Sequence, residues 1–180
     1  MNKYFDDIQD IPLSGNQIRE ALDNKTKILR YSDLLKYDNI DDILKPYNNF
    51  VLLYEQKPRY GHWVCVILHK KSNTLEYFDP YGMFIDKVLD YVDTDFKNQS
   101  GQSFPYLSFL FYNTPYNIVY NSKKLQEKNN KVATCGRHII SRILLKNISL
   151  KKYQDILKTD RKVNGDDKVS FLTAGINKFK

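Results

Sequence analysis

Three apolar runs follow one another between residues 49 and 79, and any fold this chain adopts has to bury them. Asn49-Phe50-Val51-Leu52-Leu53-Tyr54 carries no charge, and neither does Trp63-Val64-Cys65-Val66-Ile67-Leu68 after His62. A strand with one wet face alternates apolar and polar residues, whereas a run that is apolar at every position describes a strand covered on both sides. Leu75-Glu76-Tyr77-Phe78-Asp79 is the third run, ended by the turn sequence Pro80-Tyr81-Gly82. Lys70-Lys71-Ser72-Asn73 is short enough to join the second and third runs as a hairpin.

The flanks supply the covering layers. Residues 1–12 read as an irregular arm. Residues 13–22 read as a short helix, with Ser14 and Gln17 at capping-box spacing and Ile18, Ala21 and Leu22 on one face. Residues 27–31 suit a short strand; 31–35 and 41–45 suit helical turns, the latter stopped by Pro46. Farther on, the pattern predicts a helix over 84–91, a loop over 94–105, a fourth strand at 117–120, and helices over 133–145, 150–157 and 171–179. The expectation is an α+β fold, a mixed central β-sheet flanked by helices. It forms a single domain over residues 1–180, with a mainly helical part at 1–47, the sheet and principal helix at 48–147, and a basic helical part at 148–180. At 180 residues with 42% hydrophobic content, the chain is long enough for one real core and too apolar for disorder.

Cys135 stands where the 133–145 helix begins, after the polar stretch 126–131 and before the apolar positions Ile139, Ile140, Ile143 and Leu144. Thr134 is placed to cap the first free amides. A thiol at this end of a helix sits in the positive field of the dipole, which favours the thiolate nucleophile. Gly136 beside it would let a substrate backbone come close. A lone cysteine beside a glycine is more often a small buried residue, so the partners decide. A cysteine nucleophile needs a base within reach and a group to orient that base. Two histidines compete for the first role: His62, opening the second strand, and His138, three residues past Cys135 on its helix face. His69 closes the second strand beside two lysines and reads as exposed. Asp79, at the end of the third strand, falls at the same sheet edge as His62 if the two strands pair; it also makes good turn chemistry with Pro80. The donor side chain for an oxyanion is Gln126, Asn129 or Asn130, with the Cys135 N–H as the other donor. Trp63 is placed to wall the cleft, and Cys65, on the same strand face, reads as core.

Charge divides the chain. Residues 1–122 hold 13 Lys/Arg against 16 Asp/Glu, and residues 123–180 hold 15 against 5. The basic last third would attract a polyanion such as nucleic acid, or is an ordinary solvated face. Two cysteines argue against a disulfide framework and suit a reducing interior. No apolar run reaches membrane-spanning length, and Met1–Asp7 lacks a signal-peptide pattern.

Taken as a set, Gly61-His62-Trp63-Val64, Phe78-Asp79-Pro80-Tyr81-Gly82, Gln126 and Thr134-Cys135-Gly136-Arg137 resemble the adenovirus-type cysteine proteases and the related SUMO and ubiquitin-like-protein processing proteases. The wording is closest to the versions in large DNA viruses and virophages. The nine residues from Gln126 to Cys135 exceed the spacing expected of that family. The resemblance implies Cys135 as nucleophile, His62 as general base and acid, Asp79 as its orienter and Gln126 as oxyanion donor; Trp63 and Gly136 remain the substrate-binding candidates from the residue pattern. The resemblance also implies cleavage of viral capsid precursors after small residues such as glycine, in the virion and in the host cytoplasm or virus factory, by a monomer. No metal or cofactor is required on this reading, although DNA or a viral peptide can activate. The alternatives are a ubiquitin-like-protein isopeptidase and a catalytically dead, nucleic-acid-binding virion protein.

Overall fold

The computed structural model describes residues 8–127, 132–158 and 163–178. Five strands form one sheet: β1 (Lys27–Arg30), β2 (Asn49–Lys57), β3 (Tyr60–His69), β4 (Thr74–Phe78) and β5 (Asn117–Tyr120), in spatial order 1-2-3-4-5. The central β2–β3–β4 pairings are antiparallel, and β1 and β5 join the two edges in parallel, which makes the sheet mixed as expected. The apolar runs explain the layering. Phe50, Leu52, Tyr54, Val64, Val66, Leu75 and Tyr77 point into one core, and Val51, Leu53, Trp63, Cys65, Ile67 and Phe78 into the other. Alternate residues of each run therefore go to opposite faces, and each fully buried side chain of this size contributes about 1.5–3 kcal/mol.

Helix α1 (Gly15–Ala21) covers the second of these cores, carrying the expected capping box between Ser14 and Gln17. The first core is closed by a 3-10 turn at Tyr31–Lys36 and by α2 (Ile40–Leu44). Between β4 and β5 the structure departs from the sequence pattern. Residues 84–91 form only a 3-10 turn, Lys87–Tyr91, because Asp86 is held at φ +62°, outside helical geometry. Its buried carboxylate takes the hydroxyls of Tyr31 (2.8 Å) and Tyr54 (2.9 Å) and the Ser108 N–H (2.8 Å). The 94–105 loop contains a helix, α3 (Thr94–Gln99), started by the Asp93 carboxylate on Phe96 N–H. An unexpected α4 (Tyr106–Tyr112) follows Pro105 and packs Leu107, Leu110 and Phe111 into the first core.

The principal helix, α5 (Cys135–Leu144), lies on the other face, with Ile139, Ile140 and Ile143 in the second core. Its polar residues are buried too. Arg142 donates to both Glu76 oxygens, at 2.6 and 2.8 Å, tying α5 to β4. Arg137 donates to Thr173 O (3.2 Å), Thr173 Oγ1 (2.9 Å) and Ile8 O (3.3 Å). Helices α6 (Leu150–Lys158) and α7 (Gly165–Leu172) complete the layer, and a 3-10 turn, Ala174–Lys178, follows. The last helix thus starts six residues before its expected position at 171, because Asn164 and Asp167 form a capping box.

Candidate active site

His62 and Asp79 are brought together by the β3–β4 pairing. His62 stands opposite Tyr54 near the start of β3, and Asp79 directly follows β4. His62 Nε2 lies 2.8 Å from Asp79 Oδ1, with the two side chains 4% and 0% exposed. Asp79 also makes the turn: its Oδ1 accepts Tyr81 N–H at 2.7 Å and its carbonyl accepts Gly82 N–H at 2.9 Å. Gly82 sits at φ +73°, and a Cβ there would lie 2.7 Å from the Lys123 backbone. Asp79 thus bonds the imidazole and shapes the turn with the same carboxylate. Tyr81 then stacks on the imidazole, ring centroids 4.5 Å apart and planes within 14°.

Burial by itself would lower the His62 pKa. The Asp79 carboxylate outweighs it, hydrogen bonding and the charge of Cys135 add to the rise, and the imidazole is pushed up to about 10. It is therefore a cation at neutral pH. Nε2 is committed to Asp79, so Nδ1 is the ring nitrogen left for the sulfur.

Cys135 is the first residue of α5 and is 7% exposed. Thr134 does not cap the helix: its backbone is not in the extended conformation of a cap residue (φ −91°, ψ 2°), no helix amide donates to its side chain, and its hydroxyl donates to the Asp166 carboxylate. Gln126 is 1% exposed, and its N–H donates to Pro80 O at 3.1 Å. Gln126 Oε1 is buried with no partner among the described residues; which end of such an amide carries the nitrogen is set by a rotation about its last bond. Asn129 and Asn130 lie outside the described residues. A cleft of about 310 Å³ is lined by His62, Trp63, Tyr81, Gln126 and Cys135, with Asp10 and Tyr60 among the residues at its walls. Trp63 is fixed there by its Nε1–H, which donates to Leu13 O at 3.0 Å.

The other sequence candidates lie elsewhere. Gly136 does not line the cleft: its bare face turns to the N-terminal layer, where an added Cβ would meet Leu13 and Ile18 at 3.2 Å. Its small size serves helix packing, not substrate approach. His138, the rival base, is 0% exposed, and its Nε2 lies 3.0 Å from Asp166 Oδ1. His69 is only partly exposed and pairs with Glu76 Oε2 at 2.9 Å, at the opposite end of β3 from His62. Cys65 is core, and burial pushes its thiol well up. Among the described residues, no cluster suits a metal ion and no helix is long and apolar enough to cross a membrane. Sequence reading missed Asp166, Asn121, whose amide donates to Asp79 O, and the ring of Tyr81; only Tyr81 is flagged in sequence, by its place in the turn.

The assembled set holds a sulfur, an imidazolium braced by a carboxylate, and two polar groups beside one cleft. These are the group types that thiol attack on a carbonyl uses, and they line one cleft. No family model matches the chain. Among solved structures it is similar to the selenomethionine form of the ASFV pS273R protease, with TM-score 0.52 and 16% identity over 91% of this chain and 67% of that one. A second crystal structure of the same protease gives TM-score 0.50 and 15% identity over the same shares. That likeness is one of fold: the mixed sheet with flanking helices is shared with that protease. Among curated proteins the chain is similar to "Uncharacterized protein V9" of Sputnik virophage, 40% identical over 174 residues that cover 95% of this chain and 97% of the relative. With that identity along nearly the whole of both chains, this protein belongs to the same family as the virophage protein V9.

Proposed function

We propose that the protein is a viral cysteine endopeptidase that cleaves structural-protein precursors after small residues such as glycine. The observation that carries the reading is the buried His62–Asp79 pair at 2.8 Å, facing the same cleft as Cys135 at the tip of α5. In this mechanism the Cys135 thiolate attacks the scissile carbonyl carbon. The oxygen takes the negative charge and is held by Cys135 N–H and the Gln126 amide. The C–N bond then breaks as the His62 imidazolium gives its proton to the leaving amine. His62, now neutral, takes a proton from water, whose oxygen attacks the thioester; the acid leaves and the sulfur returns as thiolate. Asp79 accepts the ring's Nε2–H and keeps it pointed away from the sulfur.

Two further observations support a viral setting and proteolysis: the relative is a virophage protein, and the fold neighbour is named a protease. The test is cleavage of a capsid-protein precursor beside a ubiquitin-like conjugate by wild type and by Cys135→Ala. Precursor cleavage that vanishes in the variant, with the melting curve unchanged, is the expected result. Cleavage of the conjugate alone favours an isopeptidase. Cleavage retained in Cys135→Ala removes the mechanism. Activation by DNA belongs to the same proposal, and its sign is a rise in kcat/KM with duplex DNA that fades at high salt.

A further inference from the structure

The geometry points to Asp166 as the residue that positions the oxyanion donors, an inference that rests on the peptidase reading above. Asp166 lies in the first turn of α7 and is 1% exposed. Its Oδ2 accepts the backbone N–H of Glu127 at 2.8 Å, and its Oδ1 accepts the hydroxyl of Thr134. Glu127 follows Gln126, and Thr134 precedes Cys135. One carboxylate therefore holds the chain immediately beside both donors. It also takes His138 Nε2 at 3.0 Å, so the Thr134 hydroxyl and the His138 ring, on either side of Cys135 in sequence, are drawn to the same oxygen.

The approach is built into the backbone. Gly165 lies so close to the chain before Gln126 that an added Cβ would be 2.4 Å from Leu125 O. Only glycine permits that contact, and it delivers the next residue, Asp166, to Glu127. From the opposite side Gln126 N–H is held by Pro80 O at 3.1 Å. Gln126 is thus fixed between the Asp79 turn and the start of α7. The helix does not depend on Asp166 for its own anchorage. Val169 is in the core, Asn164 and Asp167 cap its start, and Thr173 holds Arg137. The carboxylate is spent on the segments flanking the site. Hydrogen bonds to a charged acceptor are about twice as strong as neutral ones, which suits a group that must hold two chain segments at a fixed separation.

Loss of this hold frees the segments next to the donors, while the His62–Asp79 pair is held separately by the sheet and the Asp79 turn. A displacement on the order of 1 Å costs roughly a hundredfold in rate, comparable to losing one oxyanion donor. The test uses the full chain and a fluorogenic peptide amide with glycine before the scissile bond, read for kcat and KM, together with alkylation of Cys135 by iodoacetamide, which needs no oxyanion site. For Asp166→Ala, kcat should fall about a hundredfold, with KM and the alkylation rate close to wild type. Asp166→Asn keeps the shape but replaces one acceptor by a donor and should lose less. Thr134→Val removes only the hydroxyl that Asp166 holds, should lower kcat about tenfold, and decides the matter if the Ala variant fails to fold. Unchanged kcat in Thr134→Val, or alkylation that falls in step with kcat, overturns the assignment. A wild type without Cys135-dependent cleavage overturns the peptidase reading and this one with it. A wild type that cleaves, a dead Cys135→Ala and a fully active Asp166→Ala overturn this one alone.

Discussion

Replacing Asp79 by asparagine isolates the charge that the His62 pKa depends on. The amide oxygen can still accept from Tyr81 N–H and His62 Nε2–H, at 2.7 and 2.8 Å in the native protein, so the turn survives. What remains is burial, which lowers the pKa, against the smaller rise from Cys135. The imidazole then falls from about 10 to its ordinary value or below. At about pH 7.5 a group of pKa about 6.5 is about one-tenth protonated. Protonation alone removes about tenfold of the reactive population, and loss of the orienting charge brings the total to roughly 10²–10⁴. Stability changes with a definite sign. A pKa raised above the unfolded value stabilises fully below about 6.5, and that contribution is lost as pH rises through about 10. The two proteins should therefore differ most below about pH 6, by roughly 3–5 kcal/mol, and converge at alkaline pH. The assay is kcat/KM on the glycine peptide between about pH 5.5 and 9, with the His62 ring followed by NMR. An asparagine variant with wild-type rate at neutral pH, or an imidazole still titrating near 10, would refute the reasoning.

Arg142→Met leaves Glu76 buried without its guanidinium, and urea unfolding should show a loss of about 3–5 kcal/mol, most of it recovered in Arg142→Met/Glu76→Leu. Burial raises the Glu76 pKa, but His69 and Arg142 overcome this and hold it below 4.5, so the contribution is present at neutral pH and lost as pH falls below that value. Gly61→Ala puts a Cβ 1.9 Å from Tyr54 O, a backbone clash that must open the β2–β3 pairing beside His62. Its melting temperature and peptide cleavage should both drop sharply, and an unchanged circular-dichroism melt would exclude the clash.

The sheet was legible because its strands announce themselves twice, by apolar runs and by the turn residues between them. The hairpin logic that puts the start of β3 beside the end of β4 is local, so the meeting of His62 and Asp79 could be read from sequence. Asp166 could not. It lies 39 residues from Glu127 and 32 from Thr134, and only the docking of α7 brings it there. Thr134 and Gly136 were misread for related reasons. A cap depends on the backbone angles of its residue, which spacing does not show, and a missing side chain says that something is close without saying what. The 84–91 helix failed at Asp86, whose buried tyrosine partners outweigh the local apolar spacing. Polar α3 and aromatic α4 carry too little periodic contrast to be seen against loops.

The guanidinium of Arg137 donates to Ile8 O from one nitrogen and to Thr173 from the other, so the two end segments of the described chain lie side by side against α5. A circular permutant that joins them by a short linker and opens instead at the β3–β4 turn would keep the sheet order and the cleft. It would reverse which half of the site leaves the ribosome first, with Cys135 emerging ahead of His62.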